Sequence, residues 1–269
     1  TRLFEVTGVQ TCALPICAQA NLTRQDPHGG RLLKKKMHSV QAIGRRFERK
    51  RERLTAMPEA EEAIFLAFPA EAAIPRGKRV LDLVLPRLEA GGRLLARDIE
   101  LHVAGPERVC ILGGNGVGKT TLLRRIAAEL LPRRDIRAAY MPQEFGERLD
   151  GALSPVELLN RSGSRAEEQR IRALLGSLRY TSLEMERPCS ALSGGQRAKL
   201  LLASMALERA DVLILDEPTR NLSPLSGPVV REMLRAFGGA VISVSHDRKF
   251  ISEVSTRAYE LGPDGLTEL

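Results

Sequence analysis

A phosphate-binding motif is the feature that most constrains the fold of this chain. Residues 113–120 read Gly-Gly-Asn-Gly-Val-Gly-Lys-Thr, directly after an apolar run at residues 109–112, and fit the pattern G-x-x-x-x-G-K-S/T. Glycines let consecutive backbone N–H groups turn toward one anion, and the N-terminus of a following helix adds partial positive charge. In this pattern Lys119 reaches the β- and γ-phosphates and the Thr120 hydroxyl binds Mg²⁺. The motif therefore predicts a strand, a phosphate-binding loop and a helix, in that order.

Two adjacent carboxylates follow a second apolar run. Residues 212–215 are Val-Leu-Ile-Leu, and Asp216 and Glu217 come directly after them. Such a run is typical of a buried strand in a parallel sheet, and acidic residues at its end have no packing role. Phosphoryl transfer requires an Asp that organises Mg²⁺ and a group that activates water. We interpret Asp216 as the first and Glu217 as the second.

A third motif places two consecutive glycines at the start of a predicted helix. Leu192 is followed by Ser193, Gly194, Gly195 and Gln196. The spacing of Ser193 and Gln196 fits a capping box, which could explain both residues without any function. Paired glycines are costly in a helix unless something approaches the backbone closely, and an anion at the helix N-terminus is the expected candidate.

The pattern from residue 76 onward indicates an α/β fold. We expect strands at residues 80–85, 99–103, 109–112, 212–215 and 240–244. We expect helices at residues 120–131, 167–178 and 196–208. Short apolar runs that alternate with helices are typical of a parallel sheet.

The net charge of +8 is concentrated in one short segment. Residues 31–53 hold ten basic and two acidic side chains, whereas the rest of the chain holds 31 of each sign. From Leu33 to Leu54, a seam at alternating spacings of four and three residues predicts a helix that packs along another helix. The charge run is either a solvated helix face or a nucleic-acid contact. We favour the contact, because ten cations in 23 residues exceed what solubility requires.

Composition argues against a transmembrane helix and against a secreted, disulfide-rich protein. No uncharged apolar run approaches 18 residues, the length that a transmembrane helix needs. Four cysteines in 269 residues do not form a secreted disulfide framework. We therefore expect a cytoplasmic protein with no direct membrane insertion.

The first 17 residues have a separate interpretation. Residues 6–16 resemble one reading frame of a sequencing-library adapter, so we expect residues 1–17 to be non-native and more protein to lie upstream. The alternative is a short native strand that ends at Pro15.

Five motifs in a fixed order resemble an ATP-binding cassette. They are residues 113–120, Gln143, residues 192–196, residues 212–217 and residues 245–247, and the resemblance covers about residues 76–269. The motifs that follow Asp216 and Ser245 resemble the ABC-F branch in particular. Its members are soluble twin-cassette ATPases that bind ribosomes and include antibiotic-resistance proteins. The basic segment within residues 18–75 resembles the linker between the two ABC-F cassettes.

The resemblance implies a P-loop NTPase cassette at residues 76–269, preceded by a helical linker arm at residues 18–75. The cassette would combine a parallel core sheet, a small antiparallel β subdomain and a helical subdomain. ATP and Mg²⁺ would be its cofactors. A second cassette, from a missing N-terminal half or from a homodimer, and the ribosome would be its partners. Contacts with rRNA or tRNA would come from Lys34, Lys35, Lys36, Arg45 and Arg46.

The resemblance also implies roles for single residues. The ATP phosphates would be bound by Gly113, Gly114, Asn115, Gly116, Val117, Gly118, Lys119, Thr120 and Thr121. Thr120, Asp216 and Gln143 would organise Mg²⁺ and the attacking water. Glu217 would be the general base, and His246 would contact the γ-phosphate. The nucleotide of an opposing cassette would be bound by Ser193, Gly194, Gly195 and Gln196.

Two positions depart from the family pattern. Residues 89–91, Glu-Ala-Gly, occupy the stretch where the family often has an aromatic residue that stacks on adenine. Ser223 stands where the family commonly has Asp, a difference that bears on communication between two nucleotide sites.

Three functions agree with these motifs. The first is a ribosome-directed ABC-F ATPase, in which ATP closes two cassettes and hydrolysis releases the ribosome. The second is the ATPase subunit of a membrane transporter, which would share every cassette motif. The third is an ATP-gated ribosome-binding switch whose turnover matters little. The basic helix and the sequences around Arg220 and His246 favour the first.

Overall fold

A computed structural model describes residue 68, residues 73–224 and residues 226–269. All of these residues fall within one compact unit of the chain. The adapter-like segment, the basic residues expected to contact RNA and most of the expected linker at residues 18–75 lie outside the described residues. Those expectations, and the domain boundary at residue 76, stay predictions.

Two β-sheets form the framework of the described chain. The core sheet has the order β4-β5-β6-β3-β7-β8, and its strands are β3 (Arg108–Leu112), β4 (Ala138–Met141), β5 (Val212–Asp216), β6 (Ala240–Val244), β7 (Arg257–Gly262) and β8 (Gly265–Glu268). The first five strands in that order pair in parallel, and β8 pairs antiparallel to β7. A separate antiparallel hairpin consists of β1 (Arg79–Ala90) and β2 (Arg93–Ala104).

Seven helices connect or cover the strands within the described residues. They are α1 (Lys119–Leu130), α2 (Pro155–Leu159), α3 (Arg165–Ser177), α4 (Ser182–Glu186), α5 (Gly194–Leu207), α6 (Ser226–Ala236) and α7 (Arg248–Val254), with single 3-10 turns at Phe145–Glu147 and Cys189–Ala191. The helices α2 to α5 lie between β4 and β5 in the chain. Three of them, α2, α4 and α5, begin with a capping box, which satisfies N–H groups that a helix start otherwise leaves unpaired. No described helix is both long and apolar enough to span a bilayer.

The hydrophobic core has two parts, one on each face of the core sheet. Successive side chains of β5 point to opposite faces, as the strand period of two requires. Val212 and Ile214 join a cluster with the apolar side of α1, while Leu213 and Leu215 join a cluster with α5. All four side chains are fully buried, and each burial contributes roughly 1.5–3 kcal/mol to stability. Burial on both faces explains why β5 reads as a continuous apolar run.

Each helix and strand that the sequence predicts from residue 76 onward is present, with differences at the ends, whereas the helix predicted over residues 33–54 lies outside the described residues. The largest differences are in the hairpin, where β1 continues from the predicted residue 85 to Ala90 and β2 begins at Arg93 and not at residue 99. The apolar pattern weakens there because side chains such as Arg87 and Glu89 are exposed, although backbone pairing continues to the turn at Gly91 and Gly92. Both glycines have positive φ values, 57° and 75°, which the tight turn requires.

Candidate nucleotide-binding site

Most of the expected phosphate-binding residues and all of the expected catalytic residues meet in one cleft of about 740 Å³, whose lining does not include Gly113, Gly114 and Val117. The strands β4, β5, β6 and β3 are adjacent and parallel, so the segments that follow them leave the sheet at the same edge. Ten of the residues expected from sequence line the cleft: Asn115, Gly116, Gly118, Lys119, Thr120, Thr121, Gln143, Asp216, Glu217 and His246.

The loop between β3 and α1 folds around the amine of Lys119. Lys119 Nζ donates hydrogen bonds to the carbonyl oxygens of Gly113 at 2.9 Å and Gly114 at 2.7 Å. Burial lowers the pKa of Lys119, while the charges of Glu217 and Asp216 act in the opposite direction. α1 begins at Lys119 without a side-chain cap, so its first N–H groups remain available to an anion.

Gly118 is required where the loop meets the β1–β2 hairpin. Its φ of 106° is unfavourable for any residue with a side chain. A Cβ at this position would also lie only 2.9 Å from Leu95 Cδ1. The hairpin therefore closes over the phosphate-binding loop, and Leu95 and Ala90 line the cleft.

Asp216 has the properties expected of a metal ligand. The residue is 1% exposed, and neither carboxylate oxygen has a hydrogen-bond partner. Burial raises the pKa of Asp216, and the positive charges of Arg124 and Lys119 only partly oppose this shift. Two buried oxygens without a partner are costly unless a cation binds them. With the Thr120 hydroxyl and the Gln143 amide in the same cleft, the oxygen donors fit Mg²⁺.

Glu217 lies beside His246 in a strained backbone conformation. Its φ is 52°, in the left-handed region, and its N–H donates to the carbonyl oxygen of Val244 at 2.9 Å. One carboxylate oxygen accepts a hydrogen bond from the His246 backbone N–H at 3.3 Å, and the other lies 3.5 Å from His246 Nε2. Burial raises the pKa of Glu217, and the contacts with His246 act against the rise. A carboxylate with a raised pKa is better suited to accept a proton.

The sequence motifs did not identify four other residues of the cleft: Ala90, Leu95, Arg220 and Val244. Ala90 and Leu95 lie on the side of the hairpin and give the cleft an aliphatic surface. The described residues that line the cleft include no Phe, Tyr or Trp, and position 90 contributes an alanine. Arg220 follows Glu217 by three residues and carries the signal that could have identified it, a cation in the loop after paired carboxylates.

Ser223, the second departure from the family pattern, caps α6. Its hydroxyl oxygen accepts a hydrogen bond from the Ser226 N–H at 3.2 Å and lies 3.1 Å from the Ser226 hydroxyl. A hydroxyl that accepts from the first N–H of a helix satisfies a donor that the helix itself leaves unpaired. In this chain the position therefore has a structural role.

The residues at the start of α5 do not line the cleft. Ser193 and Gln196 form the predicted capping box, with the Ser193 N–H at 2.8 Å from Gln196 Oε1. Two residues that the sequence did not single out hold Gln196 further. Tyr180 donates its hydroxyl to the Gln196 carbonyl at 2.5 Å, and Glu184 accepts from the Gln196 side-chain amide at 2.7 Å.

The paired glycines of α5 face the loop that follows Glu217. A Cβ at Gly195 would lie 2.8 Å from the carbonyl oxygen of Asn221, and one at Gly194 would lie 3.4 Å from the Asn221 side chain. The close approach that the sequence attributed to an anion is therefore made at Gly195 by the chain itself. This contact joins the start of α5 to the loop that leaves the cleft.

We predict that Gly195→Ala lowers the free energy of unfolding by roughly 1–3 kcal/mol, because the new methyl group would displace the Asn221 carbonyl. Gly176→Ala is the matched control, since Gly176 lies in α3 and a Cβ there would meet nothing within 4 Å. That control is expected to be neutral or to stabilise by about 0.5–1 kcal/mol. Urea denaturation measures both effects. Equal stabilisation by the two variants would contradict the close contact.

We predict that Asp216→Asn stabilises the nucleotide-free protein by roughly 1–3 kcal/mol while abolishing Mg²⁺-dependent ATP hydrolysis. The raised pKa means that the folded state holds the Asp216 proton more tightly than the unfolded state. The increase in the free energy of unfolding caused by Asp216→Asn should therefore appear as the pH rises above roughly 4, and it should become constant above the raised pKa of Asp216. Denaturation at several pH values measures it, with the exposed Asp264→Asn as the control. Destabilisation by Asp216→Asn would show that the carboxylate has a structural partner.

Comparison with known proteins agrees with this site. The family model described as ABC transporter matches residues 96–220. The tylosin resistance ATP-binding protein TlrC of Streptomyces fradiae is 33% identical over 264 residues, which is 91% of this chain and 47% of that protein. The human ATP-binding cassette sub-family F member 3 is 36% identical over 169 residues, 60% of this chain and 24% of that protein.

Other relatives and solved structures extend the comparison. The probable ATP-binding protein YbiT of Escherichia coli O157:H7 is 30% identical over 65% of this chain and 34% of that protein. The chain thus spans less than half the length of these curated relatives. The ABC transporter cassette MJ0796, solved as a dimer with ADP and Pi, gives a TM-score of 0.59 at 20% identity over 70% of this chain and 97% of its own. The chain has the fold of an ABC cassette and carries an ABC transporter-like ATPase domain.

Proposed function

We propose that this chain is one cassette of a twin-cassette, ribosome-directed ATPase of the ABC-F type. The observation that carries the ATPase part is the cleft in which the phosphate-binding loop, Gln143, the paired carboxylates and His246 meet. The observation that carries the ribosome part is similarity to a sub-family F protein and to TlrC. The alignment with TlrC spans 91% of the chain and so includes the basic segment at residues 31–53.

The cleft residues would divide the chemistry of ATP hydrolysis among them. In the proposed complex, Lys119 leaves the loop carbonyls and binds phosphate oxygens together with the N–H groups of residues 113–118. Thr120, Asp216 and Gln143 would hold Mg²⁺, which when bound neutralises phosphate charge. Glu217 accepts a proton from the attacking water, whose oxygen forms the new bond to the terminal phosphorus as the bond to the diphosphate breaks.

His246 would support the same step from the end of β6. Its backbone N–H and its imidazole both lie beside the Glu217 carboxylate, so His246 orients the base. The imidazole lines the cleft and is able to donate a hydrogen bond to the terminal phosphate. Orientation of the base and stabilisation of phosphate charge would therefore come from one residue.

A second cassette would complete the site. The helix start formed by residues 193–196 does not line the cleft of its own chain, and the side that does not pack against Asn221 would serve a nucleotide held by a facing cassette. The similar MJ0796 cassette is described as dimeric. We infer that the opposing cassette is either the other half of a longer protein or a second copy of this chain.

A transporter ATPase subunit remains the second candidate, because the matching family model is described as ABC transporter. The third candidate is an ATP-gated switch that binds ribosomes and turns over rarely. The basic segment separates the first candidate from the second, and the rate of ATP turnover on ribosomes separates the first from the third.

We predict that Glu217→Gln, in a protein that carries both cassettes, traps the protein on ribosomes when ATP is present. The amide cannot accept the proton of the attacking water, so the closed ATP-bound state persists. Co-sedimentation with ribosomes measures the effect, with the exposed Glu129→Gln on α1 as the control. Ribosome binding that is equally weak with and without ATP would contradict the proposed function.

We predict that replacing Lys34, Lys35 and Lys36 with Ala weakens ribosome binding and lowers the salt dependence of log K by about two units. Each lost phosphate contact removes counterion release worth roughly 0.7–0.9 of a unit. Binding measured across a salt series gives the slope. The control neutralises three exposed arginines of the cassette, Arg134, Arg165 and Arg170. An unchanged slope would show that the lysines only face solvent.

A further inference from the structure

Arg220 is an unpaired cation on the wall of the cleft. It lines the same space as Lys119, Asp216, Glu217 and His246. Its side chain is exposed, and within residues 73–224 and 226–269 its guanidinium group makes no hydrogen bond or ion pair. Other arginines of the cassette, such as those at 124, 148 and 231, pair with a glutamate. An arginine without a carboxylate partner, in a cleft that receives an anion, is available to that anion.

The backbone around Arg220 is held firmly at the edge of the sheet. The Arg220 N–H donates to the carbonyl oxygen of Glu217 at 3.1 Å, which closes a turn on the residue that would act as base. The neighbouring Thr219 hydroxyl donates to the Asp247 carboxylate at 3.1 Å, and the Leu222 N–H donates to the Thr219 carbonyl at 3.2 Å. These hydrogen bonds hold the backbone at Arg220 in place relative to both β5 and the start of α7.

Charge balance in the cleft favours a role for this cation. The lining residues contain two carboxylates, Asp216 and Glu217, and two basic side chains, Lys119 and Arg220. A nucleoside triphosphate brings about four negative charges near neutral pH, and one Mg²⁺ offsets two of them. Lys119 alone, which already faces both carboxylates, leaves the complex with excess negative charge. A guanidinium group presents several N–H donors in a geometry that matches phosphate oxygens.

We propose that Arg220 binds the terminal phosphate of the nucleotide held in its own cleft, and that it makes the cleft prefer a triphosphate over a diphosphate. The phosphate-binding loop and α1 serve the phosphates that ATP and ADP share. Arg220 is tied to Glu217, whose proposed action is on water beside the terminal phosphate. The two residues therefore lie on the side of the cleft that only a triphosphate fills. This inference rests on the proposed nucleotide-binding role of the cleft.

The test compares the affinity of two nucleotides for the full 269-residue chain and for its variants. A non-hydrolysable ATP analogue and ADP, each with Mg²⁺, are titrated calorimetrically against the wild-type chain, Arg220→Ala and Arg220→Lys. Arg220→Ala is expected to weaken binding of the ATP analogue roughly tenfold, the effect of one charge-assisted hydrogen bond, and to leave ADP affinity unchanged. Arg220→Lys is expected to recover part of the loss, because it keeps the charge without the planar group.

Two control variants distinguish a failure of the proposed nucleotide-binding function from a failure of the inference about Arg220. Arg134→Ala removes the same charge from an exposed position outside the cleft and should change neither affinity. Lys119→Ala should abolish binding of both nucleotides, and thermal melting confirms that each variant is folded. If the wild-type chain binds neither nucleotide, the proposed function of the cleft and this inference both fail. If the wild type binds both and Arg220→Ala leaves the ratio of the two affinities unchanged, only the inference about Arg220 is overturned.

Discussion

The parallel arrangement of four adjacent strands is the constraint on which the rest of the molecule depends. Because β4, β5, β6 and β3 run in the same direction, the residues that follow each of them leave the sheet at one edge. Gln143, Asp216, the segment around His246 and the phosphate-binding loop come from four distant parts of the chain and meet there. Burial of alternating apolar residues on both faces of β5 holds this edge in place.

The same edge carries groups that work against stability. Asp216 has two buried oxygens without a hydrogen-bond partner, Glu217 has a left-handed backbone conformation, and burial raises the pKa of both carboxyl groups. The unpartnered oxygens and the left-handed backbone conformation each cost about 1–3 kcal/mol, and such costs are concentrated at functional sites. In the same region, the Lys119 amine donates hydrogen bonds to the carbonyl oxygens of Gly113 and Gly114. Bound Mg²⁺ and phosphate would relieve several of these costs together, which couples ligand binding to stability.

The loop after Glu217 contacts both the cleft and the start of α5. At one end it carries Arg220 into the cleft, and at the other its Asn221 carbonyl packs against Gly195 at the start of α5. Ser223 then caps α6. Because the contact at Gly195 leaves no room for a Cβ, a displacement of this loop would also displace the helix start. The cleft and the start of α5 are therefore mechanically connected through a few residues.

The α/β class, most of the long elements and the cleft residues that belong to motifs follow from the amino-acid sequence alone. Those features depend on local chemistry, such as the glycines before Lys119 and the apolar run before Asp216, and local chemistry is visible in a linear pattern. Three features became visible only in the folded chain. Leu95 of the hairpin lies over Gly118, the Asn221 carbonyl fills the space beside Gly195, and Arg220 stays unpaired in the cleft. These features depend on distances between segments far apart in the chain, which no spacing along the sequence encodes.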